Sequence, residues 1–453
     1  MPSIGPQTRR LTGLVDDHNR YDIPHAELRQ AQTEAMQERF EQRRDAIPLV
    51  KRRAEDEGVD AISRLEDAVP LLLPHTAYKS YPESFLLDER WDRLGKWLNT
   101  VSTHPVPQLD TDAIADIDDW VAQLAERGVY VSCSSGTTGK SAMLVASEAD
   151  MDWIRREAPQ AYSWGSGVPL NRDRRIFGTG PAASVARNNV TGEAYRATLQ
   201  DPASEPFVYP IPPITVGSLT RMVVLRKKIA EGTARPNELA EYEATSAARK
   251  KAVEDAVGIA ARELVEARKQ RLHVTGMWAS LYEVARAVRD MGFAADDFHP
   301  ENSIYVGGGL KGATLPDDYR EYVYGTFNIR PERNYQNYSM QELHSGMPRC
   351  QKGGRYHIPP WVVPLILDKE GNELLPIQDG EYEGRAAFFD LSIDGRWGGV
   401  ISGDRIAIDF SPCACGARGP SIRDDIVRYS DLQEGDDKIG CAGTVDAYVR
   451  GMS

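Results

Sequence analysis

Val131-Ser-Cys-Ser-Ser-Gly-Thr-Thr-Gly-Lys140, a hydroxyl- and glycine-rich run behind a short apolar strand, decides how the rest of this chain is read. Gly136 and Gly139 free the backbone to adopt positive φ and to turn several N–H groups toward an anion. Ser134, Ser135, Thr137 and Thr138 add neutral donors, and Lys140 adds a positive charge. Together these are the parts of a cradle for a polyphosphate. A Walker loop would need glycine at 134, where this chain has serine. A polar surface turn is the other reading of so short a cluster, and the remainder of the chain has to choose between them.

At 453 residues the sequence is long enough for two or three domains and a large core. A formal net charge of -13 disfavours sequence-independent binding to nucleic acid and favours a small-molecule substrate. No apolar run approaches the roughly 18 residues of a membrane span, and the first ten residues lack the apolar core of a signal peptide. A soluble, cytoplasmic protein without a membrane or nucleic-acid partner is therefore expected. Five cysteines, an odd count, argue for thiols used as ligands or nucleophiles over a disulfide framework.

Helical spacing from 25 to about 60, broken at Pro48, predicts a helical N-terminal layer, taken here as residues 1–100. Trp91 and Trp97 read as core positions of an amphipathic helix. Helix 112–127, the strand and loop at 131–140, and helix 149–158 give the strand, loop, helix order of an α/β nucleotide site. Residues 219–271 read as two long polar helices parted near Gly232 to Pro236. Helix 277–291, strand 303–306, helix 317–323 and a strand ending near Ser339 continue the alternation, and 361–410 reads as strands and turns. The predicted class is α/β, with a core over 101–405 and a short C-terminal remnant over 406–453.

Three further segments carry chemistry. Strand 303–306 ends in Gly307, Gly308 and Gly309, bare backbone on which a flat ring can lie. Tyr338 and Glu342 follow about thirty residues on, the second a hard oxygen ligand suited to magnesium. Asp404, about sixty residues later, can accept from both hydroxyls of a ribose. Taken singly, each acid is more commonly a surface residue.

In this order, the phosphate loop, glycine-rich strand end, Tyr-x-x-x-Glu and Gly-Asp resemble the adenylate-forming superfamily of acyl-CoA synthetases, luciferases and adenylation domains. Tyr-Lys-Ser-Tyr-Pro-Glu-Ser-Phe at 78–85, Tyr-Ser-Met-Gln-Glu-Leu at 338–343 and His-Ile-Pro-Pro-Trp-Val at 357–362 look most like the acyl-protein synthetases of bacterial luminescence, with phenylacetate-CoA ligases as cousins. The resemblance spans roughly 70–441. It implies the adenylate-forming large-domain fold, with Ser134 to Lys140 on the phosphates of ATP, Gly307 to Gly309 beside adenine, and Tyr338 stacked nearby. It further implies Glu342 on magnesium, Asp404 on ribose, and Lys140 and Glu342 as catalytic groups. The implied substrate is a carboxylic acid, activated by attack on the α-phosphorus of ATP with loss of pyrophosphate. Ile176 to Pro181 and His273 to Trp278 are expected to line the acyl pocket.

Cys350, His357, Cys413 and Cys415 offer donors that suit zinc, although free cysteines can also be plain apolar fillers. Phenylacetate-ligase relatives with this pattern carry such a site, so the resemblance favours a structural zinc. His344, close to Glu342, reads first as a solvated loop residue, with a site residue or an alternative ligand as the other readings, and Cys133 as an inward strand residue. Family members have a C-terminal lid of about a hundred residues with a catalytic lysine. Here fewer than about fifty residues follow Asp404, and Glu434 stands where the hinge arginine is expected. A vestigial lid puts thioesterification of free CoA in doubt. Cys441 corresponds to the cysteine on which acyl-protein synthetases are thought to accept the acyl group; a structural role for it stays open. An acyl-accepting or reductase protein is the implied partner. The alternatives are an aryl- or acyl-CoA ligase and a non-catalytic nucleotide-binding scaffold.

Overall fold

The structure, a computed structural model, describes residues 4–133, 141–308, 310, 313–377 and 380–432. The chain is of the α/β class and divides into two compact units, one formed by residues 1–157 with 338–453 and the other by 158–337. This partition differs from boundaries at 100 and 405. Leu73 and Pro74 lie parallel to Val400 and Ile401, which puts N-terminal residues in the same sheet as the last third of the chain.

In the first unit, Val362–Leu367, Glu381–Asp390 and Gly399–Asp409 form an antiparallel sheet. All six residues of the first of these strands are buried. Tyr356–His357, Ser421–Ile422 and Val427–Arg428 extend the sheet, so residues 406–432 contribute strands to it. The segment 433–453, with Glu434, the hinge-like 435–440 and Cys441, lies outside the described residues. The helical N-terminal layer forms as the spacing requires. Helix His25–Arg43 ends before Pro48, and the proline then starts helix Pro48–Glu57, where its missing N–H costs nothing. Helix Trp91–Val101 buries both tryptophans, Trp91 stacked on Trp120.

The second unit holds a parallel sheet in the order Arg175–Gly178, Leu272–Gly276, Asn302–Val306, Ile329–Tyr335. Parallel neighbours need crossovers, and here helices Pro236–Glu266, Trp278–Asp290 and Tyr319–Phe327 supply them. Phe177, Val274, Trp278, Leu281 and Ile304 are buried in its core. Helices Val216–Ala230 and Pro236–Glu266 part at Gly232, whose φ of 69° suits only glycine comfortably. No helix among the described residues is long and apolar enough to cross a membrane.

Candidate functional site

Strand Tyr130–Cys133 does not lead directly into a helix. It pairs antiparallel with Met143–Ala146, Cys133 opposite Met143, and only then does helix Glu148–Ser166 begin. The order is thus strand, loop, strand, helix, because the buried apolar run Met-Leu-Val-Ala satisfies its backbone by pairing back. The connecting residues Ser134, Ser135, Gly136, Thr137, Thr138, Gly139 and Lys140 lie outside the described residues. Cys133 is packed inward as expected, its Sγ 3.2 Å from Met143 Sδ. Burial, with Asp118 nearby, pushes its thiol up to about 12, which removes it as a nucleophile.

The segment carrying Glu342 is tied to this hairpin by a residue that sequence reasoning missed. Arg396 is 1% exposed, and its Nη1 donates to the Val145 carbonyl at 2.8 Å, on the strand leaving the loop. Its Nη2 donates to the carbonyls of Glu342 at 2.9 Å and Gln341 at 3.3 Å. The half-buried Glu342 carboxylate makes no hydrogen bond or ion pair among the described residues, so it can accept a cation.

Behind the clasp lies Asp150, fully buried, whose carboxylate accepts from the backbone N–H of Ser147, Asp394 and Gly395 at 2.8, 2.6 and 2.7 Å. Gly395 must be glycine, since a Cβ there would overlap Asp150 and the Ala146 and Ser147 backbone. Burial would raise the Asp150 carboxyl, but His344 and Arg396 hold it well below the usual range. His344 is therefore no solvated loop residue. It is 3% exposed, with Nε2 3.2 Å from both Asp150 Oδ1 and Arg396 Nη1, and it stands outside the Cys/His cluster. Asp390 completes the frame by accepting from the N–H groups of His344 and Ser345 at 2.9 and 3.1 Å.

Tyr338 and Asp404 meet. The Tyr338 hydroxyl donates to Asp404 Oδ2 at 2.7 Å, and the Ser402 hydroxyl donates to the same oxygen at 3.0 Å. Burial, reinforced by Asp404, raises the Tyr338 phenol well above its ordinary value, so it stays a donor. Asp404 Oδ1 faces Arg428 at 3.7 Å, and the side chain keeps 16% exposure. In the second unit, Gly307 and Gly308 are exposed at the carboxyl end of their parallel strand, the edge where open α/β sheets bind ligands. Gly309 lies outside the described residues. Of the two segments expected to line an acyl pocket, Phe177, His273 and Trp278 are spent on the core.

The four predicted zinc ligands converge. One donor atom from each of Cys350, His357, Cys413 and Cys415 lies within 4.8 Å of every other. Cys350 Sγ and Cys413 Sγ are 3.6 Å apart, and Cys415 Sγ and His357 Nε2 are 3.4 Å apart. Zinc–sulfur bonds of about 2.3 Å give tetrahedral edges of about 3.8 Å, so this spacing fits such an ion. Gly353 makes the room: a Cβ there would overlap Cys413 Sγ. Burial opposes charge on Cys350, yet His357 beside it brings the thiol down to about 6, while the three thiols raise His357 to about 11 against its burial. Three thiol sulfurs and one imidazole nitrogen at this spacing are a donor set that a structural zinc ion takes.

No protein-family model matches the chain, and no curated protein matches it either. Among solved structures, a natural red-emitting luciferase from Phrixothrix hirtus aligns over 66% of this chain at 12% identity, with a TM-score of 0.31. The chain covers 44% of that luciferase, and a likeness this distant carries no argument about chemistry.

Proposed function

We propose that this chain activates a carboxylic acid with ATP, forming an acyl-adenylate and releasing pyrophosphate, and passes the acyl group to a thiol or amine acceptor. The observation that carries the reading is the Arg396 clasp. It joins the strand leaving the predicted phosphate loop to the backbone of Glu342, so a free carboxylate is fixed beside the place where phosphates are expected. The acid's carboxylate and ATP are both anionic, so the barrier is lowered mainly by positioning and by neutralising the phosphates. The N–H groups and Lys140 of the loop 134–140 serve that end, and a magnesium ion held by Glu342 would supply further positive charge. Asp404, braced by Tyr338 and Ser402, keeps an oxygen for ribose, and Gly307 to Gly309 offer a surface for adenine. Zinc on Cys350, His357, Cys413 and Cys415 has a structural part, tying the segment after Glu342 to the end of the sheet. Cys441 is the proposed acyl acceptor.

Pyrophosphate release from ATP with pooled fatty and aromatic acids tests the reading, with and without CoA and alongside intact-mass analysis. Release without CoA, abolished by Glu342→Ala in a folded protein, is expected, with an acyl adduct on Cys441. A thioester formed only with CoA would make the protein a CoA ligase. Binding of ATP without cleavage under every acid would make it a scaffold.

A further inference from the structure

We propose that helix Pro236–Glu266 is an association element, pairing antiparallel with the same helix of a second copy of this chain. The inference is independent of the chemistry above. The C-terminal part of the helix is anchored in the core of its unit through Ala256, Ala260, Ala261 and Leu264. Its N-terminal part is not: every residue from 242 to 255 is exposed, about 21 Å of helix at 1.5 Å per residue. Such a stretch is marginal by itself, since most helices in proteins are stabilised by burying a face. Among the described residues, no side chain from 242 to 255 takes part in an ion pair or a side-chain hydrogen bond.

The exposed stretch carries its own complement in reverse order. Leu239, Tyr242 and Val253, exposed by 37%, 36% and 37%, fall on one face at a and d positions of a single heptad frame that runs on to the buried Ala256 and Ala260, with Ser246 and Arg249 at the two positions between Tyr242 and Val253. Glu243 and Lys250 flank that stripe on the same edge, seven residues apart. When two copies run antiparallel, Tyr242 of each meets Val253 of the other, and Glu243 of each meets Lys250 of the other. Lys251 stands beside the second contact, and each pair occurs twice by the two-fold symmetry. A foreign partner would need this pattern by coincidence, whereas a second copy has it already.

Analytical ultracentrifugation of the full chain at about 1 to 100 µM reads the association directly. The parent is expected to be dimeric, with affinity falling as salt rises. Lys250→Glu with Lys251→Glu sets acid against acid at both contacts, and Glu243→Lys sets base against base. Each variant should raise the dissociation constant on the order of 100-fold, with the circular dichroism spectrum unchanged. Mixing the two variants restores opposite charge at both contacts and should restore the dimer as a heterodimer. A monomeric parent overturns the proposal. So do variants that dimerise as the parent does, or a mixture that stays monomeric.

Discussion

Replacing Arg396 with methionine keeps the length and apolar volume of the side chain and removes its five donors. Three acceptors lose a charged partner: the carbonyls of Val145, Glu342 and Gln341, at 2.8, 2.9 and 3.3 Å. A hydrogen bond from a charged donor is worth about 1.5–3 kcal/mol, and unpairing a buried charge costs about 3–5 kcal/mol in all, because Asp150 also loses a neighbouring cation. The bonds share one donor group and are not additive, so a loss of about 4 kcal/mol is expected, or about 8 °C in the melting temperature of a unit this size. Tryptophan fluorescence during urea unfolding is the assay. Trp153 and Trp361 lie edge to face at 5.3 Å, and both donate to the Ser345 hydroxyl inside the same network. Arg396→Lys keeps the charge but cannot reach Val145 and Glu342 together, so about half the loss is expected. Methionine costing under about 0.5 kcal/mol, the range of ordinary surface substitutions, would refute the clasp. A folded lysine variant that still released pyrophosphate at the parent rate would leave it a purely structural device.

Gly353→Ala should lower bound zinc, measured by plasma emission spectrometry against protein concentration, because the added methyl overlaps Cys413 Sγ; one zinc per chain is expected of the parent and full occupancy in the variant would refute the packing argument. His273 is fully buried with its Nδ1 3.1 Å from the Tyr162 and Ser303 hydroxyls, and burial, with Arg174, lowers it to about 3. The unfolded chain then binds the proton first, so stability is complete above pH 6.5 and falls as pH drops toward 3, by about 1.4 kcal/mol per pH unit. His273→Asn keeps an acceptor near the two hydroxyls and cannot charge, and its denaturation midpoints between pH 7 and 5 should be flatter than those of the parent.

How much of this could be read beforehand depended on whether a residue's neighbours in sequence were also its neighbours in space. Pro48 and the Gly232 to Pro236 break fixed helix ends because their effect is local. The Cys/His cluster was legible through the rarity of its residue types, even across the 63 positions between Cys350 and Cys413. Strand Met143–Ala146 was missed although four apolar residues in a row signalled it, because the phosphate-loop pattern suggested a helix next. The pairing of Leu73 with Val400 could not be read at all, since two residues have no period. Arg396 and Asp150 were missed for another reason: single charged residues are usually solvated, and burial was betrayed only by their setting. Arg396 sits in Ile-Asp-Gly-Arg-Trp-Gly-Gly, where Gly395, Gly398 and Gly399 leave no room for side chains.

That setting explains why charge is buried here at all. Residues 341–345 have no strand or helix of their own, so their backbone groups need partners from elsewhere. Asp390 takes the N–H groups of His344 and Ser345, and Arg396 takes the carbonyls of Gln341 and Glu342. Arg43 in turn donates to the Arg396 and Asp394 carbonyls at 2.9 Å, which extends the frame to the N-terminal helix. Apolar side chains of equal volume could fill the same space only by leaving these buried carbonyls and N–H groups without partners. They could not hold an irregular segment at a fixed distance from the strand at Val145. The ion network thus fixes where the backbone of Glu342 stands, and the magnesium role proposed for its carboxylate rests on that placement, its oxygens making no hydrogen bond or ion pair among the described residues.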